Sequence, residues 1–292
     1  MLYDLSLHMG YLYDVPASGA HHILRLMPIS LPERQRLIAG ALTIDPKPDE
    51  TSSFTDFFGH PATCIMLRAQ HQRLDIRMQA RVMVEGQPIT ADLSPTLEQL
   101  PEELAGYWSL DAGSPHHFLG PSARIPQAPE IAGYARANLG HGFTIRQIAR
   151  AICSLIHADF TYDPQATTVD TTPREAFALK RGVCQDFAHV MIVALRSLGI
   201  PAGYVSGFLR TIPPPGTERL AGADAMHAWV RVWCGKTVGW IELDPTNDMP
   251  AGSDHIVVAY GRDYADVAPV IGVLKSYGSH QTVQAVDVVP LE

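Results

Sequence analysis

Hydrophobic positions divide the chain into a strand-like first third and a mixed second half. Early apolar runs are short, as in Ile23-Leu24-Arg25-Leu26-Met27 and Cys64-Ile65-Met66-Leu67. In Leu74-Asp75-Ile76-Arg77-Met78 the pattern alternates, so Leu74, Ile76 and Met78 share one strand face and Asp75 and Arg77 the other. Pro46, Pro48, Gly59, Pro61 and Gly86 punctuate these runs. The spacing predicts an antiparallel β-sandwich over residues 1–90. Residues 91–129 are broken by Pro95, Pro101, Pro115, Pro121, Pro126 and Pro129, which predicts a connecting region with short helical turns near Leu97 to Tyr107. His116 and His117 lie in it. Adjacent residues of a regular element do not face the same way, so the pair reads as loop surface and not as a metal site.

Residues 130–292 change to an α+β pattern. Ile145, Ile148, Ala149, Ile152 and Ile156 recur at helical spacing, with Cys153 beside the stripe as a small core residue. Thr172-Pro173-Arg174-Glu175 predicts a capped helix start, ending near Lys180 or Arg181 with Gly182 beyond. A second helix is predicted from Cys184 to Leu198, with Phe187, Met191, Ala194, Leu195 and Leu198 inward and Gly199 and Pro201 ending it. Short β-like runs follow at Tyr204 to Leu209, Trp229 to Trp233, Trp240 to Leu243, Ile256 to Tyr260 and Val283 to Val289. The predicted fold class is thus α+β, a sandwich followed by a core whose cysteine-bearing helix packs on an antiparallel sheet.

Composition narrows the function classes. The chain has 292 residues, 46% hydrophobic, with 22 basic and 30 acidic side chains for a net charge of −8. No basic block is present, so nucleic acid is not an expected partner. The N-terminus lacks a basic segment followed by an apolar run, and the longest wholly apolar run is Val190 to Leu195. A soluble, cytoplasmic protein without a membrane partner is therefore expected. Cys64, Cys153, Cys184 and Cys234 form no Cys-x-x-Cys pair, and no His-Glu-x-x-His occurs. Free thiols, no metal and no cofactor are the expectation.

Three residues sit in contexts that suit covalent catalysis: Cys184, His227 and Asp244. Gly182-Val183-Cys184 enters an apolar helix. A helix N-terminus offers unpaired N–H groups and a partial positive charge, which favour a thiolate, and the Cys184 N–H itself is a donor for an oxyanion. Cys64 and Cys234, in apolar strand-like surroundings, read as small core residues. Gln185 is a candidate hydrogen-bond donor near the site, whereas Asp186 is accounted for by the helix dipole alone. His227-Ala-Trp-Val-Arg-Val-Trp233 and Gly239-Trp-Ile-Glu-Leu-Asp244 alternate like two strands of a hairpin. A two-residue loop at Gly235 and Lys236 would set His227 directly opposite Asp244, close enough for the carboxylate to orient the imidazole. Asn247 is a further candidate beside the site, with a turn role after Pro245 as the alternative. His189 reads as structural, and His157, His255 and His280 have no partner in their sequence context.

Taken together, these segments resemble a known family. Gly182-Val183-Cys184-Gln185-Asp186-Phe187-Ala188-His189, Leu198-Gly199-Ile200-Pro201-Ala202, His227-Ala228-Trp229-Val230, Asp244-Pro245-Thr246-Asn247 and Gly261-Arg262-Asp263-Tyr264-Ala265-Asp266-Val267 are similar to bacterial transglutaminase-like proteins, a superfamily often labelled candidate cysteine proteases. Leu24-Arg25-Leu26 and Phe57-Phe58-Gly59 resemble the β region that precedes the core in that family. The resemblance implies a papain-like, transglutaminase-like core. It also implies a nucleophile at Cys184, a general base and acid at His227 and an orienting carboxylate at Asp244. The paired zinc cysteines of glycan-removing relatives are absent, and no acidic loop suits the calcium of animal transglutaminases. The expected chemistry is acyl transfer from a peptide or protein amide through a thioester. Water as acceptor makes a peptidase or amidase, the favoured outcome because no amine-binding feature is evident, and an amine makes a transglutaminase. An idle peptide-binding module is the alternative from another class.

Overall fold

The computed structural model describes residues 1–86, 91–211, 222 and 224–291. The first unit is built on one long strand, β1 (Leu2–Leu24), with β2 (Gln35–Asp45), β3 (Glu50–Thr55), β4 (Pro61–Leu67) and β5 (His71–Val84). The start of β1 pairs with β5, and its end pairs with β4, with a register shift between Leu12 and Ala17 where the strand passes from one layer to the other. Alternation explains the inner face: Tyr3, Leu5, Leu7 and Met9 of β1 are buried, as are Leu74, Ile76, Met78 and Val82 of β5.

The connecting region carries α1 (Leu100–Ala105), a one-turn 3-10 helix at Pro115–Phe118 and α2 (Pro129–Ala137). His116 and His117 are surface residues whose Nε2 atoms bond to the carbonyls of Tyr107 and of Leu110 and Asp111, respectively.

In the second unit α3 (Ile145–Asp159) is followed by β6 (Thr161–Tyr162), α4 (Pro173–Leu179) and β7 (Arg181–Gly182). Both helices begin with reciprocal capping boxes, Thr144 with Gln147 and Thr172 with Glu175. Then come α5 (Cys184–Ser197), β8 (Ala202–Leu209), β9 (Ala225–Trp233), α6 (Gly235–Val238), β10 (Trp240–Asp244), β11 (Met249–Pro250), β12 (His255–Gly261) and α7 (Tyr264–Val267). The strands form an antiparallel sheet in the order β11-β10-β9-β8-β12. Helix α5 packs on β8 and β9 and is covered by α2, α3 and α4, so every residue from Gln185 to Arg196 is buried. The one-sided stripe expected of this helix is therefore closed over on its other faces. His189 and Arg196 are satisfied there: Tyr264 N–H donates to His189 Nε2, and the Arg196 guanidinium donates to four groups that include the Ala202 and Arg262 carbonyls.

The last two strands, β13 (Val270–Lys275) and β14 (His280–Leu291), leave the core. They pair antiparallel with β1 and complete two four-stranded layers, β2-β5-β1-β14 and β3-β4-β1-β13. The sequence groups residues 270–291 with the second unit, because it shows strand period but not strand partner. Val286 and Val288 are buried in the first unit. Among the described residues no helix is long and apolar enough to cross a membrane.

Candidate functional site

Cys184 is the first residue of α5, half-buried. The helix start is tied down by Asp186, whose Oδ2 accepts from Val183 N–H at 2.8 Å and from the Thr167 hydroxyl at 2.7 Å. Burial pushes the Asp186 carboxyl up, and these two bonds offset only part of that. Asp186 thus does more than answer the helix dipole. Gly182 is required here: a Cβ on it would lie 2.4 Å from Asp186 Oδ2. A parallel pairing of Tyr162 with Gly182 joins β6 to β7 and holds the segment that leads into the helix. Gln185 Nε2 donates to the Val169 carbonyl at 3.0 Å, so this amide fastens a neighbouring loop to the helix start.

His227 on β9 places Nε2 2.8 Å from Asp244 Oδ2, at the end of β10. With Nε2 committed to Asp244, Nδ1 is the nitrogen left free, and the Cys184 side chain is near enough to act on the same imidazole. The contact of His227 with Asp244 is diagonal and not directly opposed. The turn is longer than two residues: Cys234 precedes the helical turn α6, and Trp233 pairs with Trp240 and Val230 with Leu243. The register is offset by two residues from the one the sequence suggests. An offset of two keeps every side chain on its own face, so the imidazole and the carboxylate still meet.

Asp244 is fully buried and accepts five hydrogen bonds. Oδ2 takes His227 Nε2, His255 Nε2 at 3.1 Å and Asn247 Nδ2 at 2.7 Å. Oδ1 takes the backbone N–H groups of Thr246 at 2.9 Å and Asn247 at 3.2 Å. Asn247 therefore serves both as turn residue and as donor to the carboxylate. Burial would raise the Asp244 carboxyl, but the bonds from His227, His255 and Asn247 outweigh it and hold it well below the usual carboxylate range. For His227 burial works against the cation. The bond to Asp244 and the pull of the neighbouring Cys184 sulfur outweigh it and raise the imidazole to about 10.

His255, at the start of β12, had no sequence signal. It is a buried histidine whose Nδ1 accepts from Gly252 N–H at 3.2 Å. The proton is thereby fixed on Nε2, which donates to Asp244. The ligand-type atoms of His227, Asp244 and His255 lie within 4.8 Å of one another. They are already bonded to each other with the proton of His255 between them, so this set is a hydrogen-bond hub and not a good cation cage. His157 is a surface histidine whose Nδ1 bonds to the Thr246 carbonyl at 2.9 Å. Burial, and next the charge of Cys184, raise the Tyr162 and Tyr204 phenols.

A thiol at a helix N-terminus, facing an imidazole and a carboxylate on an antiparallel sheet, defines a papain-like arrangement. Two family models match the chain, the transglutaminase-like superfamily over residues 134–245 and the bacterial transglutaminase-like N-terminal region over residues 3–83. The chain belongs to the transglutaminase-like superfamily. It is 36% identical over 278 residues to an uncharacterized protein of Mycobacterium tuberculosis, with 89% of this chain and 83% of that protein covered. It is 35% identical over 124 residues to a protein-glutamine gamma-glutamyltransferase of Pseudomonas aeruginosa, covering 41% of this chain and 18% of the relative. A crystal structure of a candidate cysteine protease from Cytophaga hutchinsonii shares the fold, with a TM-score of 0.75 and 22% identity over 100% of this chain and 91% of the other.

Proposed function

We propose that this chain is a cysteine-dependent acyl-transfer enzyme acting on peptide or protein amides, with Cys184 as nucleophile, His227 as base and then acid, and Asp244 as the orienting carboxylate. The observation that supports this most is one imidazole bonded to the buried Asp244 carboxylate and neighboured by the Cys184 thiol at the start of α5. The Cys184 proton passes to His227 Nδ1. The sulfur attacks the amide carbon, a C–S bond forms and the carbonyl π pair moves onto oxygen, where the Cys184 N–H can donate to it. Collapse of this intermediate breaks the C–N bond, and His227 returns the proton to the departing amine. The resulting thioester is opened by water, whose proton His227 accepts and then returns to the Cys184 sulfur. The products are a carboxylic acid and the free thiol. Hydrolysis is the preferred outcome. The partial similarity to a gamma-glutamyltransferase supports an amine acceptor as the second reading.

The test is a panel of peptide and amide substrates with wild type and Cys184→Ala, read by mass spectrometry with and without an added primary amine. Loss of ammonia or an amine with uptake of water, abolished in Cys184→Ala, is expected. Amine incorporation at high yield would move the assignment to transglutaminase. Equal, background turnover by both proteins would leave a binding module.

A further inference from the structure

We infer that the N-terminal β unit is a working part of the thiol site: Arg34, through Glu242 and the Trp229 indole, holds the His227 imidazole in its orientation. This rests on the proposed role of His227. Arg34 stands just before β2 in the first unit and grips Glu242 of β10 with both guanidinium Nη atoms, one on each carboxylate oxygen. The Glu242 side chain is only 5% exposed. Its Oε2 also accepts from Trp229 Nε1 at 2.6 Å, and its Oε1 from the Tyr260 hydroxyl at 2.8 Å. Trp229 is fully buried and follows His227 by two residues on β9, so both rings lie on one face of the sheet. The indole stacks on the imidazole with centroids 6.1 Å apart and planes 26° apart, and meets His255 edge-on at 5.1 Å. An indole has two side-chain torsions. Pinning its N–H to a fixed carboxylate fixes the plane against which His227 rests.

A second attachment runs in parallel. Strand β12, which carries His255, is an edge of the core sheet. The first unit bonds to this edge: Gln35 Oε1 accepts from Val257 N–H at 2.8 Å, and the Val257 carbonyl accepts from Gln35 Nε2 at 2.7 Å and from Ile29 N–H at 3.3 Å. His60 Nε2 accepts from Tyr260 N–H at 2.8 Å. The first unit thus reaches both histidines that share the Asp244 carboxylate. A buried ion pair adds little net stability once desolvation is counted. What Arg34 and Glu242 supply is a fixed acceptor for the indole.

The test is alkylation of Cys184 by iodoacetamide, mapped by mass spectrometry on the full chain about two pH units below the ordinary thiol value. Wild type is compared with Arg34→Met, Trp229→Phe and the double variant Arg34→Met/Glu242→Gln, each below its own unfolding temperature and checked by circular dichroism. Wild-type Cys184 is expected to label well before Cys64. A wild type in which it does not overturns the role of His227 and this inference with it. Given fast wild-type labelling, Arg34→Met and Trp229→Phe are expected to lose about tenfold or more of the rate, because small misplacements of the base weaken its pairing with sulfur. The double variant is expected to recover most of it, since the amide oxygen introduced by Glu242→Gln accepts from Trp229 without a charge to bury. Folded Arg34→Met that labels Cys184 at the wild-type rate, with only its melting temperature lowered, overturns the inference while leaving the role of His227 intact.

Discussion

Replacing Asp244 by Asn puts an NH2 where one of two oxygens accepts from a set of five donors. Oδ2 accepts from His227, His255 and the Asn247 amide, and Oδ1 from two backbone N–H groups. Whichever side the new NH2 takes, it confronts two or three groups that also donate. His255 cannot relieve the conflict, because its Nδ1 accepts from Gly252 and so Nε2 keeps its proton. His227 can relieve it only by moving its own proton to Nδ1, so that Nε2 accepts from the new NH2. That tautomer aims an N–H at the sulfur and cannot take the thiol proton. One or two stranded buried donors cost about 1–3 kcal/mol each, so the fold should lose roughly 1–6 kcal/mol. Turnover should fall about 10³–10⁴-fold, the scale seen when a triad histidine is held in the wrong tautomer. Initial rates on a substrate found with wild type, together with urea melts and ¹⁵N spectra of the imidazole, read all three quantities. A variant within about tenfold of the wild-type rate would mean that His227 does not depend on Asp244.

Three other outcomes follow from the same geometry. Gly182→Ala forces a Cβ to 2.4 Å from the Asp186 carboxylate at the start of α5, so chemical denaturation should show a loss of about 1–3 kcal/mol and activity should fall with it. His227 is raised in the folded chain, so its contribution is complete below about pH 6.5 and is lost as pH climbs through about 10, whereas the depressed Asp244 contributes above about pH 4 and loses its contribution as pH falls. The melting temperature should therefore decline on the alkaline side, and in Cys184→Ala that decline should end at lower pH because part of the His227 shift comes from the sulfur. Burial pushes the Cys153 and Cys234 thiols up to about 12, so neither should react with iodoacetamide near pH 8 until the chain is unfolded, as peptide mapping would show.

Local signals were legible where the cause is local. Thr172 with Glu175, Cys184 at a helix start and His227 at a strand head could be read because capping and periodicity act within a few residues. The contact between His227 and Asp244 was legible although the register was not, since α6 lengthened the turn by an even number of residues and parity survived. Strand β2 was not legible: Gln35–Asp45 is mostly exposed, and alternation shows only in its last five residues. His255 was not legible either, because its partner lies eleven residues away across a turn that brings the start of β12 back to the end of β10.

From composition and pattern alone came an α+β chain with one activated-cysteine context and two residues fit to serve it. These follow from interactions between near neighbours, which the order of residues states directly. The folded molecule decided that the final strands return to β1, that a second histidine shares the Asp244 carboxylate, and that Arg34 of the first unit closes on Glu242 behind Trp229. Each of these joins residues brought together only when the chain packs, and the satisfaction of buried polar groups selects the partners at that stage.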